Sequence, residues 1–248
     1  MSTGQICIFK CAMAMIPLAY DSVLLKYANQ RRYVMWDSEL HPNLTILGNT
    51  GAGKSYFLNL ILGNIHMFAG ENPKAYVGCF KNSLIKTAAP RFWGYKDVQT
   101  ALEQFYLEFE KRLMGCPNRE FRLLLIDEYI SWLASLEKKE SERVQKRVAE
   151  LLFMVREFNM HVILGCHRGM AADFSHGSRD CLNVIFLGAP SKESVRSFCS
   201  LEDSALIEPR NRGEGYTIFD GQKPVAITVP TVSDMAKLDK AILRLVSD

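Results

Sequence analysis

Several stretches of the chain are too uniformly apolar to be one-sided surface strands. "KAYVGCF" (74–80), "FRLLLIDE" (121–128) and "MHVILGCH" (160–167) predict strands buried on both faces, as in a parallel sheet covered by helices. "NLTIL" (43–47) and "NVIFLG" (183–188) read the same way. "DVQTALEQFYLEFEKRLM" (97–114) changes period: Val98, Ala101, Leu102, Phe105, Phe109 and Leu113 fall on one helical face, with Asp97 placed as a cap. In "EKKESERVQKRVAELLFMVREF" (137–158) a second stripe, Val144, Val148, Leu151, Leu152 and Val155, turns Lys138, Lys139, Arg143, Lys146 and Arg147 outward. A solvated face paired with nearby glutamates accounts for those cations better than a DNA contact. The tail "GYTIFDGQKPVAITV" (215–229) predicts two strands around an Asp220-Gly221 turn. Residues 1–42 are less regular, with a strand or hairpin around "RRYVMW" (31–36). The expected organisation is a lead-in segment, 1–42, and one α/β domain, 43–248, with a mostly parallel central sheet, flanking helices and a C-terminal β-hairpin.

Between the first strand and the helix after it lies "GNTGAGKS", Gly48-Asn49-Thr50-Gly51-Ala52-Gly53-Lys54-Ser55. A glycine, four residues, Gly-Lys and Ser or Thr make a phosphate-binding loop: the backbone curls so that its N–H groups and the helix N-terminus face the phosphates. Lys54 is then placed to reach the β- and γ-phosphates, and the Ser55 hydroxyl to ligate Mg²⁺. The strand-before, helix-after context sets it apart from a chance glycine-rich turn. "LLLIDE" adds two carboxylates at the end of a buried strand. Asp127 suits the Mg²⁺ shell, and Glu128 suits activation of an attacking water. The expected cofactors are therefore ATP and Mg²⁺, and the expected chemistry is hydrolysis.

The chain's 248 residues, 48% of them hydrophobic, suffice for a full core. Its seven cysteines, Cys7, Cys11, Cys79, Cys116, Cys166, Cys181 and Cys199, form no C-x-x-C pair, which favours a reduced, cytoplasmic setting over a disulfide framework or zinc site. The start "MSTGQICIFKCAMAMIPLAY" is interrupted by Lys10 and Pro17, too short a run to span a bilayer. A net charge of +3 does not announce a polyanionic partner. Trp93 and Trp132 read as packing residues; Arg210 and Arg212 in "EPRNRGEGY" fit either loop charges or an interface.

The ordered set "NLTILGNTGAGKS", "FKNSL", "LEQFYLEFEKRL", "LLLIDEYISWLASLEKKE", "VREFNMHVILGCHR" and "EPRNRGEGY" resembles the FtsK/SpoIIIE family of DNA translocases, and within it the TcpA-like conjugative coupling ATPases, over about residues 44 to 220. The resemblance implies a RecA-like P-loop NTPase domain that assembles as a homo-oligomer, a hexameric ring, and moves double-stranded DNA, with a relaxase or other transfer-machinery protein as a further partner; the membrane helices that anchor typical family members are missing from this sequence, so no membrane span of its own is expected. Residue by residue, Gly48, Gly51, Gly53, Lys54 and Ser55 match the phosphate loop, and Asp127 and Glu128 the paired carboxylates. Arg156 matches the arginine offered to a neighbouring subunit's nucleotide. His167 stands where the family usually has a γ-phosphate-sensing glutamine, Gly169 where it has proline, and Cys79-Phe80 where it has Asp-Pro. A viral packaging motor and a slow nucleotide-dependent DNA-binding or partition module are the alternatives.

Overall fold

The computed structural model describes residues 14–81, 84 and 89–247; Cys7, Cys11, the apolar start through residue 13 and Asn82-Ser83 of "FKNSL" lie outside the described residues. The chain enters through β1 (Met15–Asp21), a short helix α1 (Ser22–Ala28) and β2 (Tyr33–Asp37), with β1 and β2 antiparallel. Then comes β3 (Asn43–Gly48), every residue buried, and helix α2 (Lys54–Phe68). The middle of the chain supplies β4 (Lys74–Cys79), the two-residue β5 (Phe92–Trp93), α3 (Val98–Leu113), β6 (Arg122–Asp127), α4 (Tyr129–Ser135), α5 (Lys138–Met154) and β7 (Met160–Cys166). After 3-10 turns come β8 (Asn183–Leu187), the short helices α6 (Lys192–Phe198) and α7 (Leu201–Ser204), β9 (Glu214–Ile218), β10 (Val225–Thr228) and α8 (Met235–Ser247).

Among the described residues these strands form one ten-stranded sheet in the order β2-β1-β10-β9-β8-β3-β7-β6-β4-β5. From β8 to β5 every pairing is parallel, and from β2 to β8 every pairing is antiparallel. The uniformly apolar runs occupy the parallel half because helices cover both its faces. On one face α2 and α8 pack together, with Leu238 against Gly63 so closely that a Cβ there would collide with Leu238 Cδ1. On the other, Val98, Phe105 and Phe109 of α3 meet Val144, Val148 and Leu151 of α5.

The two helical stripes form as expected, with two corrections. Leu113 is exposed rather than buried, because α3 ends there and its last turn leaves the sheet; the inward position is taken by the fully buried Arg112, which donates to the carbonyls of Phe158 (2.5 Å) and Glu120 (3.0 Å). Asp97 occupies the N-cap of α3, yet its side chain makes no capping bond; the Thr100 N–H goes to its backbone carbonyl. The tail turns as predicted, with Asp220 and Gly221 both at positive φ (49° and 64°), the pairing that a type I′ turn requires. Trp132 is buried in the core, and Trp93 stacks on Tyr76.

Register decides what the parallel half presents at its carboxyl edge. Cys79 pairs with Asp127, Asp127 with Gly165, Leu47 with Cys166 and Gly48 with Leu187. The ends of β3, β4, β6, β7 and β8 therefore open together onto one crevice, the usual ligand position in such sheets.

Candidate nucleotide site

The phosphate loop leaves β3 at Gly48 and closes into α2. Gly51 (φ 87°) and Gly53 (φ 98°) take backbone conformations that side chains resist, which aims the loop's N–H groups inward. Ala52 N–H closes the turn onto the Asn49 carbonyl (3.0 Å), and the Asn49 amide donates to the Ala189 carbonyl (2.6 Å). A second loop, from "EPRNRGEGY", braces the first: Gly213 N–H donates to the Ala52 carbonyl at 3.0 Å. The resulting pocket, about 270 Å³, is lined by Asn49–Gly51 and Gly53–Tyr56 of the loop with Lys81, Glu128, His167 and Arg212.

Lys54 is nearly buried, its ammonium 2.5 Å from Asp127 Oδ1 and 2.9 Å from Glu128 Oε1. Burial alone would lower its pKa; the two carboxylates outweigh that and raise it, so Lys54 is charged. Asp127 is fully buried, and its Oδ1 also accepts the Glu128 backbone N–H at 3.0 Å. Its carboxylate occupies room left by the neighbouring strand: a Cβ on Gly165 would stand 2.6 Å from Oδ1.

Glu128 sits at positive φ (62°) between β6 and α4, a left-handed conformation uncommon for a non-glycine residue. It takes the N-cap position of α4 without a capping bond, so it is not there to start the helix. Its side chain turns instead into the pocket, where Oε2 lies 2.8 Å from His167 Nε2 and 3.4 Å from Lys81 Nζ. Burial pushes its pKa up, but Lys54 above all, together with Lys81, more than offsets this and holds it below the ordinary carboxylate value, leaving an ionised base. For His167 burial is again the first influence and it wins, aided by Lys54 and Lys81; the pKa is lowered and the ring is neutral.

Lys54, Lys81, Asp127 and Glu128 cancel, so Arg212 on the pocket wall leaves the site a single net positive charge. One positive charge does not neutralise a triphosphate, so the donor set suits an accompanying divalent cation, for which the Ser55 hydroxyl and the Asp127 carboxylate would be oxygen ligands. Among the described residues no group of three His, Cys, Asp or Glu side chains forms a separate metal site.

Arg156 is elsewhere. It lies in the 3-10 turn Val155–Phe158 that follows α5, is exposed, and donates through Nε to the Glu39 carbonyl (3.1 Å). That turn precedes β7, whose other end carries His167. Seven residues of strand at ~3.3 Å each put roughly 20 Å between Arg156 and the pocket. Arg210 stacks on Tyr216 and donates to its hydroxyl (2.9 Å), while Arg212 reaches the pocket wall. Lys81 and Gly165 received no role from the sequence. Lys81 lay inside "FKNSL" without a motif of its own, and Gly165 becomes meaningful only through the β6–β7 register.

No family model matches the chain. One curated relative, the FtsK domain-containing protein YdcQ of Bacillus subtilis, is 20% identical over 203 residues, covering 75% of this chain and 42% of the relative. The TcpA conjugation coupling protein of pCW3, solved with ATPγS, superposes with a TM-score of 0.68 at 15% identity, over 87% of this chain and 65% of TcpA. The fold is that of RecA-like P-loop ATPase domains. A similar fold appears in the cytoplasmic domain of the type VII secretion ATPase EccC of Thermomonospora curvata (TM-score 0.64, 16% identity, 90% of this chain, 27% of that one). VirB4 of Thermoanaerobacter pseudethanolicus shares it too (TM-score 0.60, 11% identity, 88% and 96%). The chain thus spans about two-fifths of its curated FtsK-domain relative. Among the described residues no helix is long and apolar enough to cross a membrane.

Proposed function

We propose that the chain is an ATP-hydrolysing motor domain that works in the cytoplasm as a homo-oligomeric ring, hexameric as the resemblance implies, and moves double-stranded DNA in conjugative or integrative element transfer. The observation that carries the enzymatic part is the placement of Lys54, Asp127 and Glu128 within hydrogen-bond reach of one another at the mouth of a glycine-built phosphate loop. Backbone N–H groups of residues 49–55 cradle the phosphates, Lys54 moves from the carboxylates to the β- and γ-phosphates, and Glu128 takes a proton from the attacking water. Mg²⁺, when bound, neutralises charge on the β- and γ-oxygens; Ser55 and Asp127 would hold it. His167, on the glutamine position of the family, faces the same base.

Arg156 cannot serve the nucleotide of its own subunit across the length of β7. In a ring it is available to the neighbour's, which is the role the family resemblance gives it. DNA as the cargo is supported by the kinship with TcpA, named as a conjugation coupling protein, and with an FtsK-domain protein. EccC carries a similar fold in a secretion ATPase, so a polypeptide cargo is the competing reading. A triplex-displacement assay separates them: ATP-dependent release of the third strand from a long duplex supports DNA movement. ATP hydrolysis with no displacement, under conditions where rings assemble, rejects it.

A further inference from the structure

The two oxygens of the Glu128 carboxylate have different partners. Oε1 is held by Lys54 at 2.9 Å. Oε2 faces His167 Nε2 at 2.8 Å, Lys81 Nζ at 3.4 Å and the Ser131 hydroxyl at 3.4 Å. Lys81 comes from the segment that follows β4, outside the phosphate loop, and its ammonium also lies 2.8 Å from His167 Nε2. A neutral imidazole carries one N–H. With that proton donated to the Gly48 backbone, Nε2 has none for Glu128 and accepts from Lys81, so the ammonium is the cation that holds two acceptors, ring nitrogen and carboxylate oxygen, beside each other. Of the two lysines, Lys54 is the one that phosphates draw away.

We propose that Lys81 is a positioning residue for Glu128: its ammonium, anchored on His167 Nε2, fixes Oε2, so that departure of Lys54 to the phosphates of a bound nucleotide bares Oε1 alone toward the attacking water. The inference rests on the ATPase reading above and adds to it an order of events. Glu128 is occupied while the pocket is empty and becomes a free base once nucleotide has displaced Lys54. In the step itself Oε1 accepts a proton from water, the water oxygen bonds to the γ-phosphorus, and the bond from that phosphorus to the bridging oxygen breaks. ADP leaves with the electron pair. Without Lys81 the carboxylate keeps its charge but loses its aim, and a misplacement on the order of 1 Å is enough to cost about 10²-fold in rate.

The test uses the full chain carrying Lys81→Met, Lys81→Arg or Glu128→Gln, with ATPγS binding, single-turnover ATP hydrolysis and ¹⁵N NMR of the imidazoles read in parallel. His167→Gln assigns the His167 signals among the chain's five histidines. We expect Lys81→Met to bind ATPγS within about threefold of the unaltered chain while its turnover falls by about 10²-fold, and Lys81→Arg to regain most of that loss. In nucleotide-free protein, Lys81→Met and Glu128→Gln should both shift the His167 ring nitrogens. Unchanged turnover in Lys81→Met overturns the proposal, and so does a loss of affinity as large as the loss of rate, which makes Lys81 a phosphate ligand instead. If the unaltered chain hydrolyses no ATP, the enzymatic reading fails first. The NMR arm still decides the anchor, since His167 signals indifferent to Lys81 and Glu128 refute it without any turnover.

Discussion

Gly165 and Asp127 face each other across the β6–β7 pairing, and the aspartate carboxylate occupies the space that a Cβ on the glycine would need, 2.6 Å from Oδ1. A glycine in mid-strand weakens a sheet, so its presence here is explained by the carboxylate it accommodates. Gly165→Ala should keep the fold at a cost of roughly 1–3 kcal/mol but move Asp127 off the metal position. The expected result is a raised Mg²⁺ requirement for ATP turnover, read from a magnesium titration beside a melting curve. An unaltered magnesium dependence would remove Asp127 from the metal site.

Lys54 and Glu128 should separate binding from chemistry. Lys54→Ala should abolish hydrolysis and also destabilise the nucleotide-free chain, because two buried carboxylates lose their cation; breaking such a pair typically costs about 3–5 kcal/mol. Glu128→Gln should leave ATP bound and uncleaved, with Lys54 released from one competitor. Turnover by Glu128→Gln at the unaltered rate would show that another group activates the water.

Arg156 should act across a subunit boundary. A cation at the end of a helix complements its dipole by about 0.3–1 kcal/mol and needs no other role. An arginine reaching a neighbour's γ-phosphate is worth about 10³ to 10⁵ in rate. Arg156→Ala should therefore keep ATP binding and lose nearly all turnover, and mixing it with Lys54→Ala should restore part of it. Some interfaces in a mixed ring pair an intact loop with an intact arginine. Arg156→Ala turning over at the unaltered rate would leave only the dipole.

His161 should make the fold acid-sensitive before any carboxylate does. It is fully buried, stacked on Phe121 (4.2 Å), edge-on to Trp36, bonded to Asn159 and within the field of Arg112; burial pushes its pKa down to about 3. The unfolded chain binds this proton near pH 6.5 and the folded one does not. Stability therefore falls as pH drops below 6.5, by at most about 1.4 kcal/mol per unit. His167, also lowered, adds with the same sign, and Glu120, held at about 2, contributes only below pH 4.5. Denaturant midpoints between pH 6.5 and 5 should slope less in His161→Gln, and equal slopes would refute the assignment.

Where burial was uniform or a motif had fixed spacing, the chain could be read directly. β3, β4, β6, β7 and β8, the two helical stripes and the loop from Gly48 to Ser55 all follow from residue pattern. α8 was legible in principle, since Leu238, Ala241, Ile242, Leu245 and Val246 keep helical spacing, but it follows a hairpin whose strand signals dominate the tail. The short helices α1, α6 and α7 span too few residues for periodicity to register. The partners of Glu128 were less accessible. Lys81 and His167 reach it from the ends of different strands, 47 and 39 residues away in sequence, and only strand order brings them together. The distance of Arg156 from its own pocket is likewise a property of the sheet, because the residue lies close to His167 in sequence but at the opposite end of β7.

The central claim, a motor that hydrolyses ATP while gripping duplex DNA, is tested most directly by phosphate release from the unaltered chain with and without long duplex DNA, at low salt and at a protein concentration that permits ring assembly. A motor must hold backbone phosphates without reading bases. The account predicts that duplex of any sequence stimulates hydrolysis, that the stimulation fades as salt rises, and that Glu128→Gln shows none. Equal rates with and without duplex would contradict it.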